Sequence, residues 1–106
     1  KTKLNNLTLI LKKGANPNLS NQNGKPPIHL SLNYDYNIKI IQILLKFGAD
    51  IHILDSDGNN YMFDLIISDV RDHEFVNANL DFFVKNKGNI NFINKEGDNL
   101  LLYKLK

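Results

Sequence analysis

The chain has no cysteine and no tryptophan, one methionine, three prolines and a single arginine, Arg71, in 106 residues. Without cysteine there is no disulfide, no thiolate metal site and no cysteine nucleophile, and the composition fits a reducing compartment. No apolar run approaches the ~20 residues that span a bilayer. Thirteen basic residues face eleven acidic ones, a formal charge of +2. They are scattered, so neither nucleic acid nor an anionic membrane is implied as a partner. No glycine-rich phosphate loop leads into a helix, and no serine sits in a nucleophile elbow. What the chain does have is 42% apolar and 23% charged residues, the balance of one modest globular domain. Asn, Lys and Ile are heavily used and Ala is scarce. That bias is typical of AT-rich genomes, as in many viruses, parasites and intracellular bacteria. The first residue is Lys1, and no signal-peptide pattern is present. The expectation is a piece of something longer.

One stretch raises the question of a metal. GADIHILDSDGNN, 48–60, places Asp50, His52, Asp55 and Asp57 within eight residues, followed by Gly58. A calcium loop of the EF-hand type wants oxygen ligands at positions 1, 3 and 5, glycine at 6 and a bidentate acid at 12. Aligned on Asp57-Gly58, position 1 falls on Ile53 and position 12 on Asp64, which is short for a bidentate glutamate. The spacing also recurs without the acids. GANPNLSNQNGK (14–25), GADIHILDSDGN (48–59) and KGNINFINKEGD (87–98) are three copies of one pattern. A turn is repeated and a ligand set is not. Asp and Asn stabilise turns by bonding their own backbone, so the stretch reads as a turn.

Gly14 and Gly48 are 34 residues apart, as are Gly24 and Gly58. Gly58 and Gly97 are 39 apart, and the surplus of five is expected as a loop within VRDHEFVN, 70–77. Before each copy lies an apolar segment at helical spacing: NLTLILKKG (6–14), IIQILLKFG (40–48) and NLDFFVKNK (79–87). In the second, Ile40, Ile41, Ile43, Leu44 and Leu45 form one face, with Gln42 and Lys46 outside. Gly14 and Gly48 sit where a helix ends in a left-handed residue, and Lys87 is the exception. After each copy comes a shorter apolar segment: PPIHLSL (26–32), NYMFDLII (60–67) and NLLLYKL (99–105). Pro27 suits a first helical turn, and Asn60 and Asn99 suit N-caps.

Turn, helix, helix at a period of 34 is a solenoid pattern. The chain resembles the ankyrin repeat family, most closely over 24–54. There GKPPIHLS stands for the family's G-x-TPLH-x-A, and IIQILLKFGADIH for VVxLLLxxGADVN. The resemblance implies an all-α solenoid of stacked helix-turn-helix units with β-hairpin tips, forming one domain over 1–106. Residues 1–20 would be a partial repeat and 21–54 a full one. Residues 55–93 would be full with the 70–77 insertion, and 94–106 partial. Leu4, Leu7, Ile10, Leu101 and Leu105 then lack obvious neighbours. His29 holds the position of the family's structural histidine, and His52 corresponds to Asn18 and Asn91. Pro26 replaces the usual threonine, and in the later repeats Asn60-Tyr61-Met62-Phe63 and Asn99-Leu100-Leu101-Leu102 replace Thr-Pro-Leu-His. Those first helices are therefore expected to be less sharply fixed.

By the same resemblance the function is partner recognition, with no catalysis, cofactor, metal or small-molecule substrate. The expected contacts are tip residues: Ser20, Gln22, Asn23 and Lys25; Leu54, Ser56, Asp57 and Asn59; Ile93, Lys95, Glu96 and Asp98. Leu54 and Ile93 occupy one tip position in successive repeats and are the expected apolar anchors, unless they pack on each other. Tyr34, beside Tyr36, is a further candidate. The insertion, with Asp69, Arg71, Asp72, Glu74 and Phe75, could be a second contact site or tolerated drift; His73 within it reads as a solvated loop residue. The sequons at Asn6 and Asn18 read as chance in an Asn-rich chain. An interaction scaffold of viral or pathogen origin, intracellular and cytoplasmic, including in a host cell, is the leading expectation. The alternative is a targeting segment of a larger enzyme or ubiquitin-ligase adaptor.

Overall fold

A computed structural model describes residues 2–106. Six α-helices follow one another: α1 Thr2–Lys12, α2 Pro27–Leu30, α3 Asn37–Lys46, α4 Tyr61–Ser68, α5 His73–Lys85 and α6 Leu100–Lys104. A 3₁₀ turn, Ser31–Asn33, extends α2. Helices α2, α4 and α6 are the first helices of successive units, and α1, α3 and α5 the second. The described residues contain no strand.

The tips at 21–25, 55–59 and 94–98 share one construction. In each, the first residue's N–H donates to the fifth residue's carbonyl, at 3.0, 2.9 and 2.8 Å. The side-chain oxygen of Asn21, Asp55 or Asn94 accepts two further backbone N–H groups, two and four residues on. One oxygen of Asp55, Oδ1, is thus spent on its own backbone, as its turn reading requires. A loop closed within five residues leaves no room for a ladder. The first two of these tips share one backbone bond, from Ser56 N–H to the Gly24 carbonyl at 3.1 Å, where the expected hairpins would form strands. A Cβ on Gly24 would run into Ser56.

The second helices end as their spacing predicts. Gly14 and Gly48 adopt φ of 102° and 96°, and Lys87 takes the same left-handed turn at φ 68°. The first helices are fixed differently from one another. Pro26 makes no side-chain cap, and α2 has only four residues. Asn60 caps α4 by accepting the Phe63 N–H at 3.0 Å, and Asn99 caps α6 through Leu102 at 2.8 Å. Where the family pattern has proline and histidine, Tyr61 meets Phe83 edge-on at 5.6 Å, and Phe63 meets Phe92 and Tyr103. Aromatic packing thus replaces a polar corner. Helix α4 has eight residues, against four in α2 with its 3₁₀ extension of three. Complete burial strands one group, the Tyr61 hydroxyl, which has no hydrogen-bond partner.

The core runs between the helix layers through Ile28, Ile41, Leu44, Met62, Leu65 and Phe83. Position within the stack, more than residue type, decides burial. Leu44 is 2% exposed and Phe83 1%, whereas Ile10, at the same place in the first unit, is 57% exposed. Ile28 and Met62 are buried, whereas their counterpart Leu101 is 68% exposed. Among the described residues, nothing covers the outer stacking faces of the first and last units. Leu4 and Leu7 do find neighbours and pack on the core.

The expected loop over 70–77 needs correction. Only its first three residues are loop, since α5 begins at His73 and has thirteen residues against ten in α3. Asp72 starts it, accepting the Phe75 N–H at 2.9 Å, and Glu74 favours the helix N-terminus. Much of the surplus lengthens a helix. Two buried amides then set its register against α3. Asn37 Nδ2 donates to Asn79 Oδ1 at 2.6 Å, and Asn79 Nδ2 returns a bond at 3.2 Å.

Two substitutions check this packing by urea unfolding. Leu44→Ala removes a fully enclosed side chain and is expected to cost about 2–5 kcal/mol, whereas Lys46→Ala on the exposed face stays within about 0.5 kcal/mol. Equal costs would mean that the helix face is assigned wrongly. Lys87→Gly relieves a left-handed residue bearing a Cβ and is expected to add about 1 kcal/mol.

Candidate functional site

The tip residues divide into those that project and those that build. Ser20, Gln22, Asn23, Leu54, Ser56, Asp57, Ile93, Lys95 and Glu96 are exposed. Leu54 and Ile93 are 42% and 62% exposed on successive tips, although both are large and apolar. Asn59 is buried, its side-chain oxygen accepting a bond from Asn94 Nδ2 at 3.2 Å. It joins two tips and is not available to a partner. Asp98 is buried likewise. Tyr34 packs against the core and lies 5.6 Å from the Tyr36 ring. Lys3 sits over its face at 4.6 Å, so Tyr34 is largely engaged within the chain.

Lys25 is the other tip residue with a structural task. Its ammonium lies 2.6 Å from Asp55 and 3.0 Å from Asp64. His29 Nδ1 is 2.5 Å from the same Asp64 oxygen, and Nε2 is 3.2 Å from the Ile53 carbonyl. Both ring nitrogens therefore face oxygen acceptors, one a carboxylate on α4 and the other a backbone carbonyl of the second unit. Three elements meet here: the tip carrying Lys25, the next tip through Asp55, and α4 through Asp64. Burial opposes ionisation of Asp55, but the Lys25 ammonium and the Asn59 N–H outweigh it and hold the carboxyl at about 2. Burial likewise opposes the charge on Lys25, and bonds to Asp55 and Asp64 raise its pKa despite that. His29, Asp55 and Asp64 place potential ligand atoms within 4.8 Å of one another, the spacing of a metal site. The lysine ammonium already supplies the cation there, so the geometry is that of an internal ion cluster.

Sequence reasoning took His29 as structural but missed its carboxylate partner. Lys25 lies 30 residues from Asp55 and 39 from Asp64. Only stacking the three copies in register could have brought these groups together. His52 is exposed and does not reproduce Asn18. The Asn18 side chain bridges to the next unit, donating to the Gly48 carbonyl at 3.1 Å and accepting the Asp50 N–H at 2.8 Å. In the insertion, Arg71 turns inward. Its guanidinium donates to the Leu32 carbonyl at 2.7 and 3.2 Å, pairs with Asp35 at 2.6 Å and stacks over Phe75 at 4.1 Å. The one arginine clasps two units together. His73 is exposed on the first turn of α5.

The ion cluster gives stability a defined pH dependence. Asp55 has a depressed folded-state pKa, so its contribution is complete above its ordinary 3.8 and is lost as pH falls through about 2. Lys25 has a raised one, so its contribution is complete below its ordinary 10.5 and is lost only on the alkaline side. Asp55→Asn keeps the turn acceptor, as Asn21 and Asn94 do, and removes the charge. It is expected to cost about 1–2 kcal/mol at neutral pH, after discounting for the partly exposed lysine. The gap from the parent should close near pH 2 in urea unfolding. A gap that persists there would locate the effect in the turn rather than the ion pair.

Known proteins are similar in sequence. The family described as Ankyrin repeat matches residues 23–56. An ankyrin repeat-containing protein of Schizosaccharomyces pombe is 35% identical over 77 residues, 72% of this chain and 36% of that protein. A Rickettsia felis protein named for its ankyrin repeats is 38% identical over 48 residues, 42% of this chain and 21% of its own length. A fowlpox virus protein named in the same way is 38% identical over 52 residues, 49% of this chain and 15% of its own. The chain thus spans little more than a third of the first relative and less of the others. Repeated tips, helix pairs stacked in register and these similarities together show that the chain belongs to the ankyrin repeat family.

Proposed function

We propose that the chain is a non-catalytic scaffold that binds another protein through its tips and the adjoining first helices. The observation that carries this reading is the exposure of Leu54 and Ile93 at one position of successive tips, where the surrounding polar side chains are committed to building the turns. Two bulky apolar side chains held in water by a repeated framework form an anchor pair for a partner. Ser20, Gln22, Asn23, Ser56, Asp57, Lys95 and Glu96 supply the polar rim. Ankyrin repeats are in general protein-binding modules, and the groups most suggestive of chemistry, His29, Asp55 and Asp64, are engaged with one another and with Lys25. The viral and rickettsial relatives, with the Asn- and Lys-rich composition, support a role in host–pathogen contact inside a cell. A second reading is favoured by the small share of each relative that the chain spans: the same surface would then target a larger enzyme or adaptor.

Affinity capture from a host-cell lysate with mass spectrometry tests the tip surface. A Leu54→Glu/Ile93→Glu variant runs beside the parent once circular dichroism shows equal helicity. A protein held by the parent is expected to be lost at least ~10-fold from the variant, as for loss of a binding hot spot. Equal recovery would remove the tips from the binding surface.

A further inference from the structure

The joint between the second and third units gathers three donor atoms from three elements: His29 Nδ1 on α2, Asp55 Oδ2 on the tip and Asp64 Oδ2 on α4. Among the described residues, no other three groups of this kind bring their ligand atoms within 4.8 Å of one another. They are not a run of surface carboxylates. One donor is an imidazole nitrogen, and His29 and Asp55 are both buried. Nδ1 lies 2.5 Å from Asp64 and 3.8 Å from Asp55, on either side of the ~3.3 Å that separates neighbouring donors when a tetrahedral zinc ion makes ~2.0 Å bonds.

The surroundings supply what such a site needs. His29 Nε2 is 3.2 Å from the Ile53 carbonyl, and a hydrogen bond from the far ring nitrogen is what orients a ligating imidazole. Nδ1 is then the nitrogen aimed at the carboxylates. Oδ1 of Asp55 is held by two backbone N–H groups of its turn, which fixes the direction of Oδ2. A cleft of about 350 Å³ reaches Lys25, His29 and Asp64 and gives an entry path. The charge also favours a divalent ion. Two carboxylates face one ammonium, that of Lys25, at 2.6 and 3.0 Å. The Lys25 side chain is 32% exposed and can turn out to water, whereas the three donors are fixed by the fold.

We propose that His29, Asp55 and Asp64 bind a divalent transition-metal ion of the zinc type in exchange for the Lys25 ammonium. One imidazole and two carboxylates form a nitrogen–oxygen set that suits zinc, with water in the fourth position. The bound ion ties α2 to the next tip and to α4, and it releases the ammonium to the surface of the first tip. This site does not depend on the scaffold reading.

The test titrates the metal-free full chain with zinc chloride in a calorimeter, and with cobalt(II) chloride followed by visible absorption, whose bands report the geometry around the ion. Circular dichroism first establishes equal helicity of the variants. The parent is expected to take up a single ion. Asp64→Asn is expected to weaken binding at least ~10-fold, since loss of even a supporting group costs a metal site that much. Lys25→Met removes the competing ammonium and is expected to tighten binding several-fold. A His52→Ala/His73→Ala variant, with both positions exposed, should bind as the parent does. Binding that survives Asp64→Asn but is lost with His52 and His73 would place the ion on surface histidines and overturn the proposal. Equal affinity of the parent and Lys25→Met would overturn the exchange, and no uptake by either would overturn the site. Should Lys25→Met lose its helicity, the comparison of the parent with Asp64→Asn decides alone.

Discussion

No helix pair in this chain can bury its own apolar side chains. Each unit has two thin helices, and the faces they turn along the stack stay wet until another unit covers them. This constraint explains why equivalent residues differ so widely in exposure. Leu44 and Phe83 are enclosed because units lie on both sides of them, and Ile10 is open because its outer side has none. It also explains why the repeat is kept while the residues drift. A stacking position needs the right volume more than the right identity, so leucine can become phenylalanine and a Pro–His corner can become Tyr61 and Phe63.

The same constraint governs what remains for binding. Joining units consumes polar groups: Asn59 with Asn94, Asn18 with the next unit's backbone, Arg71 with Leu32 and Asp35. Turn building consumes Asn21, Asp55 and Asn94. A residue at the surface in sequence terms is therefore often a structural one in space. What is left free is a small set of apolar tips and a polar rim. Under the proposed scaffold reading, specificity would rest on these departures from the repeat, because the repeat itself is occupied in holding the stack.

The architecture was legible because its signals are local and periodic. The glycine spacing, the apolar face of 40–45 and the Asx turns each lie within one unit and can be counted. The site was less legible because its contacts run between units. Lys25, Asp55 and Asp64 lie far apart in the chain and meet only through stacking. Asn59 reads as a tip residue until Asn94 is placed beside it. The surplus of five residues was expected as a loop, and much of it lengthens α5 instead. Asp72 as an N-cap was the available signal, and the polarity of VRDHEFVN concealed it.

The joints between units are of unequal kind. Between the second and third units lie an ion cluster, a reciprocal amide pair and an arginine clasp. Between the third and the last lie an amide contact, aromatic edges and the looser Lys104–Asp69 approach. A rod built from such joints does not bend evenly. The central joint is closed by short charged and amide bonds, and the next by aromatic edges with one long ion pair. Leu54 and Ile93, at one position of successive tips, are thus anchored to the stack through different chemistry: a change of pH or salt acts on the joint behind Leu54 more than on the joint behind Ile93.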